Sequence, residues 1–169
     1  IGQQAFGTNT TGDGNVAIGY QALLGNTTAD NNVAVGRVAL AANTTGADNV
    51  AMGYAALATQ TTAGGNTAIG HIALNANTSG ASTTALGSQS LMVNTTCANN
   101  TGLGFAALTA NTTGASNTAV GRDALSANTD GNENTAFGIY TLQANTTADF
   151  NVAVGYKAGT HSVGLTTGN

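Results

Sequence analysis

The sequence contains little charge, no proline, no tryptophan and a single cysteine. Of its 169 residues, 3 are Lys or Arg and 7 are Asp or Glu, so 6% are charged, whereas an ordinary globular chain has about 25%. Three cations and a formal net charge of −4 exclude a nucleic-acid surface, which needs clustered Lys and Arg. One cysteine excludes an internal disulfide, and no apolar run approaches the roughly 18 residues of a membrane helix. The chain is therefore predicted to bind neither nucleic acid nor a membrane.

The dominant feature of the sequence is a strict internal repeat. The unit N-[TV]-A-[IV]-G-x-x-A-L-x-A-N-T-T-[GA]-x-x recurs every 17 residues, and no insertion breaks the register from Ile1 to about Tyr156. Nine units begin at residues 15, 32, 49, 66, 83, 100, 117, 134 and 151, after a partial unit over residues 1–14. Position 1 of a unit is its first residue, so position 5 is the recurring glycine. This glycine is predicted to form a structural corner, because glycine adopts positive φ without steric penalty, at Gly19, Gly36, Gly53, Gly70, Gly87, Gly104, Gly121, Gly138 and Gly155.

The repeat length predicts the fold class. A unit of 17 residues is too short for a helical repeat, which needs about 33 residues, or for a leucine-rich repeat of roughly 20–29. It fits one turn of an all-β parallel β-solenoid, or β-roll, in which short strands are joined by tight corners. About ten such turns, stacked about 4.8 Å apart, would form a rod roughly 48 Å long.

Residues 1–169 are predicted to form one solenoid segment with an atypical last unit, residues 151–169. There Gly159 replaces the usual leucine, and the run of Thr166, Thr167 and Gly168 comes late. No polar cap is visible at either end, although solenoids need caps against end-to-end association. We therefore expect either that the segment is part of a longer chain or that neighbouring subunits cover its ends.

The apolar positions predict a narrow core. Positions 2 and 4 carry residue types that favour strands, and strand alternation places both on one face. Positions 2, 4, 9 and 11 are predicted to form stacked core ladders. The position 9 ladder is Leu23, Leu40, Leu57, Leu74, Leu91, Leu108, Leu125 and Leu142. Alanine rows at positions 3 and 8 have two interpretations, a smooth surface for contact between chains or filling of a thin core.

Asparagine occupies position 12 of most units and position 1 of eight of the nine. Like residues one turn apart lie about 4.8 Å from each other, so their amides can hydrogen-bond along the stack. An inward asparagine ladder that stiffens the rod is predicted at Asn26, Asn43, Asn77, Asn94, Asn111, Asn128 and Asn145, with Gln60 as the exception.

The core sequence Asn-Thr-Ala-Ile-Gly, at residues 66–70 with variants from Asn15, Asn32, Asn117 and Asn151, resembles the head repeats of YadA-type trimeric autotransporter adhesins. The longer unit, with Ala-Leu and Asn-Thr-Thr-Gly, is similar to the repeat shafts of phage tail-fibre-like proteins. The resemblance covers almost the whole chain. It implies a stacked parallel β-roll, often with three chains side by side, in an extracellular fibre that attaches to a target. It implies no catalytic residue.

Position 6 is the most variable position of the unit, which suggests exposure. Aromatic and arginine side chains on an exposed edge suit recognition of glycans or proteins. The candidate recognition edge consists of Tyr20, Arg37, Tyr54, His71, Phe105, Arg122 and Tyr156. A solvated or subunit-contacting edge is the competing interpretation.

The remaining polar residues predict no metal, cofactor or catalytic site. Six acids lie at positions 14 to 17, namely Asp13, Asp30, Asp48, Asp130, Glu133 and Asp149. Calcium could bridge carboxylates on adjacent turns, but small residues interrupt the row, and a solvated acidic corner is preferred. His71 and His161 have no partner at metal-ligand spacing, and Cys97 occupies a small-residue position. No unit pairs acids with a convergent base, so the chain is predicted not to be an enzyme.

Two further hypotheses come from the threonine-rich part of the unit. Sequons occur at Asn9, Asn26, Asn43, Asn77, Asn94, Asn99, Asn111 and Asn145, and they could carry glycans in a eukaryotic secreted chain. The competing interpretation is that the Asn-Thr-Thr run is structural. Regular threonine rows also raise ice binding as a lower-ranked hypothesis.

The main functional expectation is a stiff fibre or adhesin segment on a virion or cell surface, formed by a homotrimer. The alternative is a single-chain solenoid that polymerises end to end into an extracellular filament. In both cases the first partner is another copy of the chain. A surface glycan or protein receptor is a second candidate partner at the position 6 edge.

Overall fold

The computed structural model describes residues 1–160, which form a parallel β-solenoid with a single sheet. Strands lie at positions 2 to 4 of successive units: β1 (Val16–Ile18), β2 (Val33–Val35), β3 (Val50–Met52), β4 (Thr67–Ile69), β5 (Thr84–Leu86), β6 (Thr101–Leu103), β7 (Thr118–Val120), β8 (Thr135–Phe137) and β9 (Val152–Val154). They pair in parallel in chain order, and Ala68 of β4 pairs with Ala85 of β5. The predicted fold class is confirmed, with about eight turns instead of about ten.

Backbone hydrogen bonds connect neighbouring turns at the corners as well as in the sheet. Between β3 and the turns around it, Gly53 N–H donates to Val35 O at 2.8 Å, and Leu57 N–H donates to Ala73 O at 3.0 Å. The partial N-terminal unit joins the same stack, since Gly19 N–H donates to Ile1 O at 2.7 Å. Because proline has no N–H to donate, its absence suits a chain whose corners are also hydrogen-bonded.

The inward and outward faces of the strands are the reverse of the predicted ones. Alanines at positions 3 and 8 are buried together with the position 9 leucines, which are 0–1% exposed. Positions 2 and 4 point outward: Ile18 is 42% exposed and Phe137 is 56% exposed. The core prediction for positions 2 and 4 was therefore wrong. Position 11 is also mostly half-buried, as at Ala42 and Ala76, so its core prediction was wrong as well.

The small cross-section of the turn explains this reversal. One short strand and its corners enclose so little volume that only alanine fits opposite the leucine. At Gly102, which occupies the alanine position of β6, an added Cβ would lie 2.5 Å from Ser90 Oγ and 3.2 Å from Leu91 Cδ1. The alanine rows thus fill a thin core, and their interpretation as a contact surface between chains was wrong.

Each turn also contains corners in the left-handed region at residues other than glycine. Positions 7, 9 and 17 have positive φ, for example +53° at Leu57, +62° at Gln89 and +57° at Asn31. A left-handed residue with a Cβ costs about 1–2 kcal/mol. Burial of a leucine side chain contributes about 1.5–3 kcal/mol, which offsets this cost at position 9. The predicted features at His161, Thr166, Thr167 and Gly168 lie outside the described residues.

Candidate functional site

The outward side of the sheet carries no charged residue along β1 to β9. This sheet face, as we name it, consists of the residues at positions 2 and 4. All are exposed or half-buried, and none is charged: Val16, Ile18, Val33, Val35, Val50, Met52, Thr67, Ile69, Thr84, Leu86, Thr101, Leu103, Thr118, Val120, Thr135, Phe137, Val152 and Val154. Position 4 is apolar in every strand, whereas position 2 is threonine in β4 to β8. Soluble monomers rarely expose a long row of apolar side chains unless it has a partner.

The predicted recognition edge is divided into two side-chain clusters. In the first, Arg37 Cζ lies 5.6 Å from the ring centroid of Tyr20 and 5.6 Å from that of Tyr54. The ring of His71 stacks on Tyr54 with centroids 5.3 Å apart and an interplanar angle of 18°. These side chains come from four successive turns, so the one-turn spacing brings them into contact.

The second cluster includes residues that the sequence analysis did not place at the edge. Arg122 Cζ lies 6.0 Å from the Phe105 ring and 5.5 Å from the Tyr140 ring. Lys157 Nζ lies 5.2 Å from the Tyr156 ring. Tyr140 and Lys157 are at position 7, immediately after the variable position 6. This adjacency in the sequence was the signal that could have placed them at the edge. Ser88 occupies position 6 between the two clusters.

The two clusters differ in how their arginines are neutralised. Arg122 Nε forms an ion pair with Asp123 Oδ2 at 3.0 Å. Within residues 1–160, no carboxylate lies at ion-pair distance from Arg37. The guanidinium of Arg37 therefore retains a charge that no side chain of the described part balances.

The glycine corners stack directly on one another along the rod. Their φ angles run from +121° at Gly155 to +142° at Gly70. A Cβ added to Gly87 would lie 2.5 Å from the carbonyl oxygen of Gly104 in the next turn. The position 5 glycines are thus required both by their φ and by the close approach of the next turn.

The position 12 asparagines form a buried amide ladder. Nδ2 of Asn128 donates to Asn111 Oδ1 at 2.8 Å, and Nδ2 of Asn145 donates to Asn128 Oδ1 at 3.0 Å. The same nitrogen also donates to the position 15 carbonyl of its own unit, as from Asn77 to Gly80 at 2.9 Å. The ladder satisfies buried corner carbonyls, which would be costly to leave unpaired.

Gln60 interrupts this ladder. Its Nε2 donates to Ala63 O at 2.8 Å, and its Oε1 accepts from Asn77 at 3.0 Å. No donor reaches Asn43 Oδ1 in the preceding turn, which is a buried oxygen without a hydrogen-bond partner in the described part of the chain. The longer glutamine side chain therefore forms a ladder hydrogen bond with the next turn but not with the previous one.

A second amide ladder lies at position 1, and its asparagines were not among the predicted ladder residues. Asn134 N–H donates to Asn117 Oδ1 at 2.9 Å, and Asn134 Nδ2 donates to the same oxygen at 3.1 Å. Its side chain also reaches Ala148 O at 2.8 Å. The near-constant asparagine at position 1 was the signal for this ladder. It ties the residue before β8 to the equivalent residue one turn earlier and to the corner that follows β8.

The acidic corner is used for backbone hydrogen bonds. Asp149 Oδ1 accepts from Asn132 N–H at 2.6 Å, and Asp30 Oδ1 accepts from Asp13 N–H at 2.7 Å. Over residues 1–160 there is no group of three His, Cys, Asp or Glu side chains that could hold a metal ion. The carboxylates therefore continue the pattern of side chains that link one turn to the next.

The threonine-rich corner is also engaged within the chain. Position 13 hydroxyls donate to the carbonyl one turn later, as from Thr44 to Thr61 O at 2.9 Å. The position 12 sequon asparagines are buried except Asn9, which is half-buried, whereas Asn99 at position 17 is exposed. A glycan on a position 12 asparagine is incompatible with the folded ladder, so among the predicted sequons Asn99 offers the most accessible amide.

Cys97 lies beside the buried amide ladder. Its Sγ lies 2.7 Å from Asn94 Oδ1 and 3.3 Å from Asn111 Nδ2. Burial raises the pKa of the Cys97 thiol above its usual value, and hydrogen bonds with its own backbone and with the side chain of Asn111 partly offset this rise. A thiol with a raised pKa is a poor nucleophile at neutral pH, which fits a packing role.

The described part of the chain has no internal cavity and no helix that could cross a membrane. No protein-family model, curated protein or solved structure matches the chain. The candidate sites are therefore the sheet face and the two clusters of the position 6 edge.

Proposed function

We propose that this chain is a stiff segment of an extracellular fibre, on a virion or cell surface, whose chains associate side by side as a homotrimer. The sheet face is the observation that carries the proposal. It runs along β1 to β9 without a charged residue, and Leu86 and Leu103 on it are 39% and 38% exposed. Covering such a face with other copies removes apolar surface from water, which contributes roughly 25 cal/mol per Å².

The repeat makes the sheet face suited to pairing with itself. Every turn presents the same two outward positions, so parallel copies meet like residues along the whole rod without like-charge repulsion. The resemblance of the unit to adhesin heads supports three chains. The proposal assigns the chain no catalytic activity.

The stiffness of the proposed shaft comes from ladders that connect successive turns. Backbone hydrogen bonds, stacked leucines and the buried amide ladders all run along the rod axis. Bending the rod would break several of these contacts at one turn, so it is strongly resisted. A shaft of this kind positions an attachment surface at a distance without needing a wide core.

The molar mass in solution tests the proposal. Light scattering over a concentration series should give a constant mass of three chains of 16.4 kDa each. Leu86→Lys places a charge on the sheet face and should convert the trimer to single chains. Thr96→Lys, at an exposed position away from this face, is the matched control and should stay trimeric.

Other masses would overturn the proposal in distinct ways. A mass that climbs with concentration indicates the alternative, a filament of chains joined end to end. A single-chain mass at all concentrations contradicts both forms of assembly. If Thr96→Lys dissociates the assembly as completely as Leu86→Lys, the sheet face is not the contact surface.

A further inference from the structure

We infer that Arg37, held between Tyr20 and Tyr54, is a binding site for the carboxylate of an acidic polysaccharide. This inference names a ligand class for the position 6 edge and rests on the proposed attachment function. Three residues of successive turns form the site, and the spacing of the solenoid fixes their relative positions.

The two tyrosines orient the guanidinium for binding. Arg37 Cζ lies over both rings at the same distance, 5.6 Å from each centroid. The stack of His71 on Tyr54, at 5.3 Å, fixes the second ring from its other side. The two rings hold the Arg37 guanidinium between them, and the in-plane N–H groups of a guanidinium match the two oxygens of a carboxylate.

Within residues 1–160, Arg37 also has no carboxylate at ion-pair distance. Over the described residues, the arginine of the second cluster is paired with Asp123, whereas none of the carboxylates pairs with Arg37. The acids at positions 14 to 17 lie at another corner of the turn. An oriented cation without an internal partner binds an external anion without first breaking an ion pair.

The surroundings favour a sugar polymer over a protein or a nucleic acid. Arg37 is exposed and no pocket lies beside it in the described part of the chain, whereas protein interfaces concentrate their binding energy in desolvated pockets. One unbalanced arginine is far too few for a phosphate backbone. Polar groups border it instead: Gln21 Nε2 donates to Gln4 Oε1 at 2.8 Å beside Tyr20, and sugar hydroxyls bind amides of this kind.

The affinity of one site is expected to be low. A single exposed contact between a charged pair contributes modestly, so one chain should bind weakly. In the proposed trimer, three copies of the site lie on one rigid rod, and a polymer can occupy them together. Linked sites raise the overall affinity by about 10²-fold or more when the geometry allows simultaneous binding.

Binding of the whole chain to immobilised polygalacturonate, a polymer of a carboxylated sugar, tests the inference. Its fully methyl-esterified form is the neutral control, and polyglutamate tests an acidic polypeptide. At about 50 mM salt, where exposed charges are weakly screened, wild-type protein should bind polygalacturonate only. Arg37→Gln should weaken binding about tenfold or more, and Arg37→Lys should restore only part of it because lysine lacks the planar fork.

Thr96→Glu is the matched control, since it lowers the net charge by the same one unit at an exposed position away from the position 6 edge. It should bind like wild type. Equal losses in Arg37→Gln and Thr96→Glu would show that only net charge matters, and equal binding by Arg37→Gln and wild type would refute the site. Binding to polyglutamate as strong as to polygalacturonate, or no binding to any polymer, would refute the ligand class.

Light scattering on the same samples separates this inference from the proposed function. A single-chain mass with binding that depends on Arg37 refutes only the trimer. A trimer whose binding ignores Arg37 refutes only the ligand site.

Discussion

At the scale of single residues, the position 5 glycine is the least replaceable part of the unit. Gly87→Ala would place a Cβ 2.5 Å from Gly104 O, at a φ of +135°. Strain and displacement of the next turn should lower the free energy of unfolding by about 3 kcal/mol, measured by chemical denaturation. Gly65→Asn is the control, because Gly65 has a φ of +71° and an added Cβ there would make only an ordinary contact, 3.8 Å from Ser82 Oγ. A loss below 1 kcal/mol in Gly87→Ala, on the order of ordinary surface changes, would contradict this role.

The interrupted amide ladder offers a stabilising substitution. Asn43 Oδ1 is buried without a partner because Gln60 Nε2 bonds elsewhere. Gln60→Asn restores the side-chain length found in the neighbouring units and should raise the free energy of unfolding by about 1 kcal/mol, measured by urea denaturation. The reverse change, Asn94→Gln, should create the same defect and lower stability. If Gln60→Asn destabilises the protein, the amide ladder does not limit stability at this turn.

At the scale of the strand, the repeat predicted the fold but not which face of the strand points inward. The period and the β-branched residues located strands such as β4 and β5, and one glycine per unit located the corner. Strand alternation gives two faces but does not say which is inside, and larger apolar residues usually indicate the core. Here the leucine of position 9 fills the available volume, so Ala85 points inward and Leu86 outward.

The left-handed leucines account for this failure of prediction. Leucine rarely adopts positive φ, so no sequence rule predicted the φ of +51° at Leu91. The leucine side chain at that corner points into the interior and packs against the inward face of the strand. The strand position that faces it then has room only for alanine. The position 6 edge was predicted as a row, but Ser88 divides it. The second cluster also includes Tyr140 and Lys157 of position 7, whose contacts the repeat does not specify.

A pair of substitutions in β5 tests the two faces. Ala85→Leu overpacks the core and should lower the free energy of unfolding by about 1–3 kcal/mol. Leu86→Ala removes a side chain that is 39% exposed. It should lower the free energy of unfolding of the dissociated chain by less than about 1 kcal/mol. Thermal unfolding of dilute samples measures both. The opposite ranking would place Leu86, not Ala85, in the core.

At the scale of the whole molecule, the rod behaves as a stack in which each turn contacts only its neighbours. Side-chain ladders and backbone hydrogen bonds all join residues of adjacent turns, as Asn134 does with Asn117. Stability in such a stack is approximately a sum of unit terms and interface terms between neighbours. The number of turns should therefore set the length of the rod. The turns should stack only where the 17-residue spacing of the repeat is kept.

Deletion of one whole unit tests this independence. Removing residues 117–133 joins Ser116 to Asn134 and keeps the 17-residue period, so β6 should pair with β8 and Asn145 should bond to Asn111. The shortened chain should keep the wild-type circular dichroism spectrum and lose only a few degrees of Tm. Removing residues 117–132 leaves Glu133 in place and shifts every later residue by one, which turns inward side chains outward. That variant should lose the native stacking beyond the deletion, and equal Tm values for the two deletions would show that register does not hold the turns together.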